Sequence, residues 1–253
     1  MNKIPQEVKN LIQHYFNLKV NSKIIRVPYH INVKHIRAEL RSLAGKGTPQ
    51  EIEEEVVIFA KLRNFNLKKA TKEEIREFMQ KEGIGIDCSG LVAHILNIWL
   101  KSRKMGSLHS NLTFPKLPLL KRLVIKIRPI ENISAELLTN QQNTININLK
   151  EVQGGDLLRL KGLKKGNHIA IITKVKRGGD GNLEEITYIH SSRYYGEDNG
   201  IREGKIKIKD ENAPLEEQDW LERDKNNICW TLKEYLKEKQ DNGLRRPKFF
   251  VKE

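Results

Sequence analysis

Cysteine is scarce in this chain of 253 residues, which has only two, at positions 88 and 229. Two cysteines supply neither a disulfide framework nor a cysteine zinc cluster. No run of apolar residues is long enough to span a bilayer, and residues 1–20 contain no unbroken apolar segment typical of a secretory signal. We therefore expect a cytoplasmic protein without a membrane span, although export by another route or release by cell lysis stays open.

Acidic residues are too few to balance the basic ones, and the formal net charge is +14. Such an excess favours anionic partners, for example nucleic acid or the anionic polymer of a bacterial cell wall. The lysines are scattered, however, and the sequence has no zinc finger or RNA-binding aromatic signature. This pattern favours a solvated basic surface over a dedicated nucleic-acid site. No motif indicates a metal ion or an organic cofactor.

Residues 1–82 are predicted to form a mostly helical region. Thr48 with Glu51, and Thr71 with Glu74, have the spacing of capping boxes, in which each threonine begins a helix. Further helices are expected over residues 4–18 and 33–43, and a short extended segment over residues 23–29.

Residues 83–253 predict an α+β domain in which one apolar helix packs on an antiparallel sheet. Apolar residues recur at helical spacing from Leu91 to Leu100, as in a helix with one buried face. Short strands separated by turns follow later in the chain. We expect strands over residues 123–127, 145–149, 157–160, 168–175, 186–191, 205–209 and 245–251, and a helix over residues 231–239.

Cys88 lies at the start of the apolar helix, where Asp87 or Ser89 can serve as the N-cap. Unpaired N–H groups and the positive end of the helix dipole gather at this point. A thiol there tends to have a lowered pKa, and its thiolate is a nucleophile. The same N–H groups could hold the oxyanion of a tetrahedral intermediate. The alternative is that Cys88 is a small buried apolar residue.

Two histidines on neighbouring predicted strands could complete a catalytic site. His168 begins the most apolar strand and would take the thiol proton, and His190 on the next strand would orient His168. Each histidine could instead be a polar residue at a strand end. His94 is closer to Cys88 in sequence, but its position six residues along the helix turns it away.

Four segments occur in the order found in a known family. Segment 87–92 (DCSGLV) resembles the nucleophile motif of the NlpC-type cell-wall peptidases, a branch of the papain-like cysteine peptidases. Segment 155–158 resembles their glycine-aspartate turn, and segments 167–172 and 188–192 resemble the strands bearing the catalytic histidine and the third polar residue. The resemblance implies a papain-like catalytic domain over residues 83–253. It also implies hydrolysis of amide bonds in peptidoglycan stem peptides, often next to D-glutamate.

The chain departs from the family pattern before the cysteine. Family members usually have a tyrosine and a glycine pair there, whereas segment 81–84 has no tyrosine. Tyr29 could supply it if residues 33–82 form a helical insertion. The expected lack of an export signal leaves the substrate open among an external wall, peptide recycling inside the cell, a toxin-like amidase and a phage-type lytic enzyme.

Three hypotheses follow. The first is a thiol peptidase or amidase with Cys88, His168 and His190 as catalytic residues, supported by Asp87 and Ser89, acting on a peptide or peptidoglycan fragment. The second is an inactive module on the same scaffold that binds anionic polymer through its basic surface. The third is a structural disulfide between Cys88 and Cys229, which a cytoplasmic location argues against. We expect Cys229 to have a packing role.

Overall fold

The computed structural model describes residues 3–31, 41–115, 128–161, 167–238 and 241–251. The helix predicted over residues 33–43 lies largely outside these ranges, and the strand predicted over residues 123–127 lies wholly outside them. Within the ranges, no helix has the length and apolar character needed to cross a membrane.

Seven α-helices are described, and their starts agree well with the capping patterns. Thr48 and Thr71 each accept a hydrogen bond from the backbone N–H three residues on, and both capping boxes are complete. The predicted C-terminal helix stops at Tyr235 and continues as a 3₁₀ turn over Leu236–Glu238. The helices are α1 (Gln6–Phe16), α2 (Pro49–Leu62), α3 (Lys72–Lys81), α4 (Cys88–Ser102), α5 (Leu108–Asn111), α6 (Ala135–Thr139) and α7 (Trp230–Tyr235).

Within the described residues the main sheet has seven strands, and each neighbouring pair is antiparallel. The chain is therefore a mixed helix and antiparallel-sheet structure, as expected of an α+β protein. The strands are β3 (Thr144–Asn146), β4 (Leu157–Lys161), β5 (Asn167–Arg177), β6 (Leu183–Ser192), β7 (Gly200–Lys207), β8 (Asp219–Trp220) and β9 (Gly243–Pro247). Their order in the sheet is β3-β9-β4-β5-β6-β7-β8. A separate hairpin joins β1 (Leu18–Val20) to β2 (Lys23–Ile25).

The two faces of the main sheet pack into different cores, because side chains alternate along each strand. Ile169 and Ile189 share one core with α4, whereas Ala170 and Tyr188 share the other with Trp220. α4 packs against β5 and β6 and also against α1. This second neighbour explains why α4 is buried on nearly all sides rather than on the single face that its sequence predicts.

The N-terminal helices join the core that contains α4. Val8, Tyr15 and Ile52 are fully buried in the same cluster as Leu91 and Ile95. The division of the chain at residue 82 stays a prediction, but residues on both of its sides build one hydrophobic core.

Candidate functional site

The start of α4 is held by a buried ion pair. Asp87 is the N-cap, and its carboxylate accepts from the Gly90 N–H at 2.5 Å and from the Ser89 hydroxyl at 3.0 Å. The same oxygen lies 2.9 Å from Nζ of Lys46, which also donates to the Ile133 carbonyl at 3.0 Å. Both predicted supporting residues therefore fix the helix end next to Cys88.

The sulfur of Cys88 lies against the backbone of β5 on both sides of His168. The pairing of β5 with β6 ends at Ile171, so the first residues of β5 have backbone groups free to meet α4. Cys88 Sγ is 4.0 Å from the Asn167 carbonyl oxygen, and the backbone N–H of Ile169 faces the sulfur. The thiol therefore occupies the gap where the two strands separate.

The two predicted histidines meet across this gap. Nε2 of His168 lies 2.7 Å from Nδ1 of His190, and both rings are buried. Nε2 of His190 lies 3.0 Å from the carboxylate of Glu222, which also accepts from Nε of Arg202 at 2.7 Å. A charged carboxylate thus ends a chain of hydrogen bonds that begins at His168.

Burial sets the acidity of the thiol and of the neighbouring imidazole. Desolvation, followed by the charge of Asp87, raises the pKa of Cys88 from 9.0 to about 12, although Lys46 opposes the rise. Burial, followed by the proximity of His190, lowers the pKa of His168 well below its ordinary value. The lowered thiol pKa expected from the helix end is therefore wrong, and both groups favour their neutral forms.

Tyr29 and Arg193 lie at the edge of the site. The backbone of Tyr29 pairs with that of Ile86, two residues before Cys88. Burial, followed by the charges of Cys88 and Asp87, raises the pKa of the Tyr29 phenol, which stays protonated. Arg193 is exposed and interacts electrostatically with Tyr29 and with His168. Each residue can therefore meet a molecule bound beside the thiol.

Contacts in the structure join Asp87 to Ser89 at the start of α4 and His168 to His190 in the sheet, and Cys88 Sγ lies against the β5 backbone beside His168. We call Cys88, His168 and His190 the cysteine–histidine cluster. His94 is not part of it, because its Nε2 lies 2.8 Å from the Lys46 carbonyl.

Cys229 caps α7 by accepting from the Leu232 N–H, and both cysteines are free, so the disulfide hypothesis is wrong for this structure. Among the described residues, no group of histidine, cysteine and carboxylate side chains could hold a metal ion.

Three polar residues next to the cysteine–histidine cluster were not predicted as site residues. Glu222 follows a two-residue strand, and Lys46 lies in a glycine-rich turn. Neither residue belongs to a sequence motif that would mark it as part of a site. Tyr29 was suggested only by the resemblance. No protein-family model matches the chain, and no curated protein matches it either.

Proposed function

We propose that the protein is a cysteine hydrolase, a peptidase or amidase with a papain-like catalytic domain, in which Cys88 is the nucleophile. His168 acts as general base and then as general acid, and His190 orients it. The observation that supports this most directly is the position of Cys88 Sγ, which lies 4.0 Å from the carbonyl oxygen of Asn167, the residue before His168. Nε2 of His168 lies within hydrogen-bond distance of His190. This arrangement supports a nucleophile beside the strand that carries its base, with an orienting group on the next strand.

The reaction begins as His168 takes the thiol proton and the sulfur attacks the carbonyl carbon of the substrate. The negative charge on the carbonyl oxygen is met by the N–H of Cys88 and by the hydroxyl of Tyr29. His168 then gives its proton to the leaving amine, and a thioester to Cys88 remains. Water, deprotonated by His168, attacks the thioester, releases the acid and returns the thiol.

Proton transfer accompanies the attack and does not precede it. The pKa of Cys88 is raised to about 12, mainly by burial, and that of His168 is lowered, so the resting pair is a neutral thiol and a neutral imidazole. When the substrate is bound, the sulfur bonds to the carbonyl carbon as His168 takes its proton, and the negative charge develops on the carbonyl oxygen.

We propose a peptide with a free carboxylate as substrate, of the class found in peptidoglycan stem peptides with a D-glutamyl-diamino acid bond. Two features support this class. One is the resemblance of segment 87–92 and its companion motifs to cell-wall peptidases. The other is the exposed guanidinium of Arg193, whose only hydrogen bond among the described residues goes to the Tyr194 hydroxyl, at 3.4 Å. A guanidinium at this edge can pair with a substrate carboxylate.

The test is hydrolysis of synthetic stem peptides that contain γ-D-glutamyl-diamino acid bonds, followed by mass spectrometry of the products. We expect Cys88→Ala to abolish turnover and to leave the far-UV circular dichroism spectrum unchanged. Cys229→Ala is the matched control, since it removes the other buried thiol and should keep turnover. Hydrolysis at the parent rate by Cys88→Ala would refute the proposal.

The second candidate function is an inactive module that binds anionic polymer. It is favoured by the net charge of +14 and by a thiol whose pKa is raised to about 12 by burial. Binding to nucleic acid or wall polymer that weakens steeply with salt and is unchanged in Cys88→Ala would support it.

A further inference from the structure

The carboxylate of Glu222 is buried among hydrogen-bond donors. One oxygen accepts from Nε of Arg202 at 2.7 Å and lies 3.0 Å from Nε2 of His190. The other oxygen accepts from the Tyr188 hydroxyl and from the Thr231 hydroxyl, each at 2.8 Å. Glu222 is 5% exposed, so protein groups replace water around the charge.

These neighbours keep Glu222 ionised. Burial by itself raises the pKa of this carboxyl, but His190, Thr231 and Arg202 together outweigh burial and hold the pKa well below its usual range. An ionised carboxylate has no hydrogen to donate, and it can only accept.

A fixed acceptor at one end determines where the hydrogens lie along the chain. Because Glu222 accepts, Nε2 of His190 carries a hydrogen, and in the neutral ring Nδ1 is then the acceptor. Nδ1 of His190 is 2.7 Å from Nε2 of His168, so Nε2 of His168 carries its hydrogen as well. The bare nitrogen of His168 is therefore Nδ1.

We propose that Glu222 is a positioning residue that acts through His190 to fix His168 as the Nε2–H tautomer, which leaves Nδ1 of His168 as the proton acceptor of the site. The tautomer assignment stands on hydrogen-bond geometry, and its catalytic meaning rests on the proposed function. If His190 were protonated, both of its nitrogens would donate, and His168 would carry its hydrogen on Nδ1. His168 could then not take the thiol proton.

The experiment records long-range proton–nitrogen correlations of the imidazole rings in the ¹⁵N-histidine-labelled full chain at neutral pH, because these spectra distinguish a protonated ring nitrogen from a bare one. Glu222→Gln keeps an acceptor oxygen and removes the charge. The double variant Glu222→Leu/Arg202→Met removes acceptor and cation together, so that no buried charge is left without its partner. Tyr188→Phe is the matched control, since it removes another donor to the same carboxylate and leaves the His190 contact in place.

We expect hydrogen on Nε2 and a bare Nδ1 in both His168 and His190 of the parent, of Glu222→Gln and of Tyr188→Phe. The double variant should show mixed or reversed tautomers in both rings, and kcat on the stem peptide should fall by roughly 100-fold or more with little change in KM. A parent spectrum with hydrogen on Nδ1 of His168 would overturn the assignment, even if the double variant does not fold. Unchanged tautomers in a folded double variant would overturn the role of Glu222.

The two proposals fail separately. If the tautomers are as stated and the parent hydrolyses no stem peptide, the tautomer assignment holds and the proposed function loses its support. If the tautomers differ while Cys88-dependent hydrolysis persists, the hydrolase stands and Glu222 does not position His168.

Discussion

The buried charges of Lys46 and Asp87 shift the pKa of the Cys88 thiol in opposite directions, and removing each charge in turn tests this. The two side chains are each 7% exposed, with Nζ 2.9 Å from the carboxylate. Burial is the main reason that the pKa of Cys88 rises from 9.0 to about 12, and Asp87 adds to the rise whereas Lys46 opposes it. At neutral pH the thiol therefore has about three orders of magnitude less thiolate than an ordinary cysteine.

Asp87→Asn removes the anion and keeps a residue that can cap α4, whereas Lys46→Met removes the cation. A charge within a few ångströms changes a pKa by about 1 to 3 on the pH scale. At a fixed neutral pH we expect alkylation of Cys88 to become faster by about tenfold or more in Asp87→Asn, and slower by a similar factor in Lys46→Met. Each change breaks a buried ion pair and should lower the free energy of unfolding by about 3–5 kcal/mol.

The assay is the second-order rate of alkylation by iodoacetamide in the neutral and mildly alkaline range, with the modified peptides of Cys88 and Cys229 quantified by mass spectrometry. Cys229 is the internal reference, because it is buried in the core on the opposite face of the sheet. Urea unfolding of the same two variants measures the loss of stability.

Opposite changes in alkylation at similar losses of stability would show that charge controls the thiol. Faster alkylation of Cys88 in both variants, accompanied by faster alkylation of Cys229, would mean that the fold has loosened. Unchanged rates in both variants would refute the electrostatic argument.

Three further predictions concern substrate binding, stability and the cysteines. Arg193→Met should raise KM about tenfold for a stem peptide with a free carboxylate and leave KM unchanged for the amidated peptide, and Lys225→Met serves as the surface control. Thr48→Ala removes a complete capping box and should lower the free energy of unfolding by about 1 kcal/mol in a urea titration. Denatured, unreduced protein should titrate with two free thiols, because Cys88 and Cys229 are both free; a count of zero would contradict the structure.

Local patterns in the sequence predict the elements that local physics determines. The capping boxes at Thr48 and Thr71 begin their helices at the expected residues, since a side chain three positions from its partner satisfies the helix end. The strands around His168 and His190 agree closely too, because runs of β-branched residues bounded by glycine turns need no distant partner to be recognised. Boundaries are less exact: the strand expected over residues 205–209 is β7, Gly200–Lys207.

Contacts between distant parts of the chain account for what the sequence does not predict. Glu222 meets His190 only because β7 lies between β6 and β8 in the sheet, and a two-residue strand has too few residues to show a period. The sequence predicts that β9 is a strand, but its position between β3 and β4 depends on pairing with distant residues. Lys46 reaches Asp87 from 41 residues away, and the glycines on either side of Lys46 predict only the end of a helix.

The Cys88 thiol shows why a rule about local structure can predict a pKa shift in the wrong direction. A helix N-terminus stabilises a nearby negative charge by about 0.3–1 kcal/mol at an exposed site, and by up to about 2 kcal/mol in a partly buried one. Burial of Cys88 acts in the other direction, and a rise in pKa from 9.0 to about 12 corresponds to about 4 kcal/mol against the thiolate. Burial depends on α1, β5 and β6 closing around α4, so the larger effect is the one that no short segment of sequence contains. The hydrolase we propose must therefore generate its thiolate during the attack, with His168 as the base.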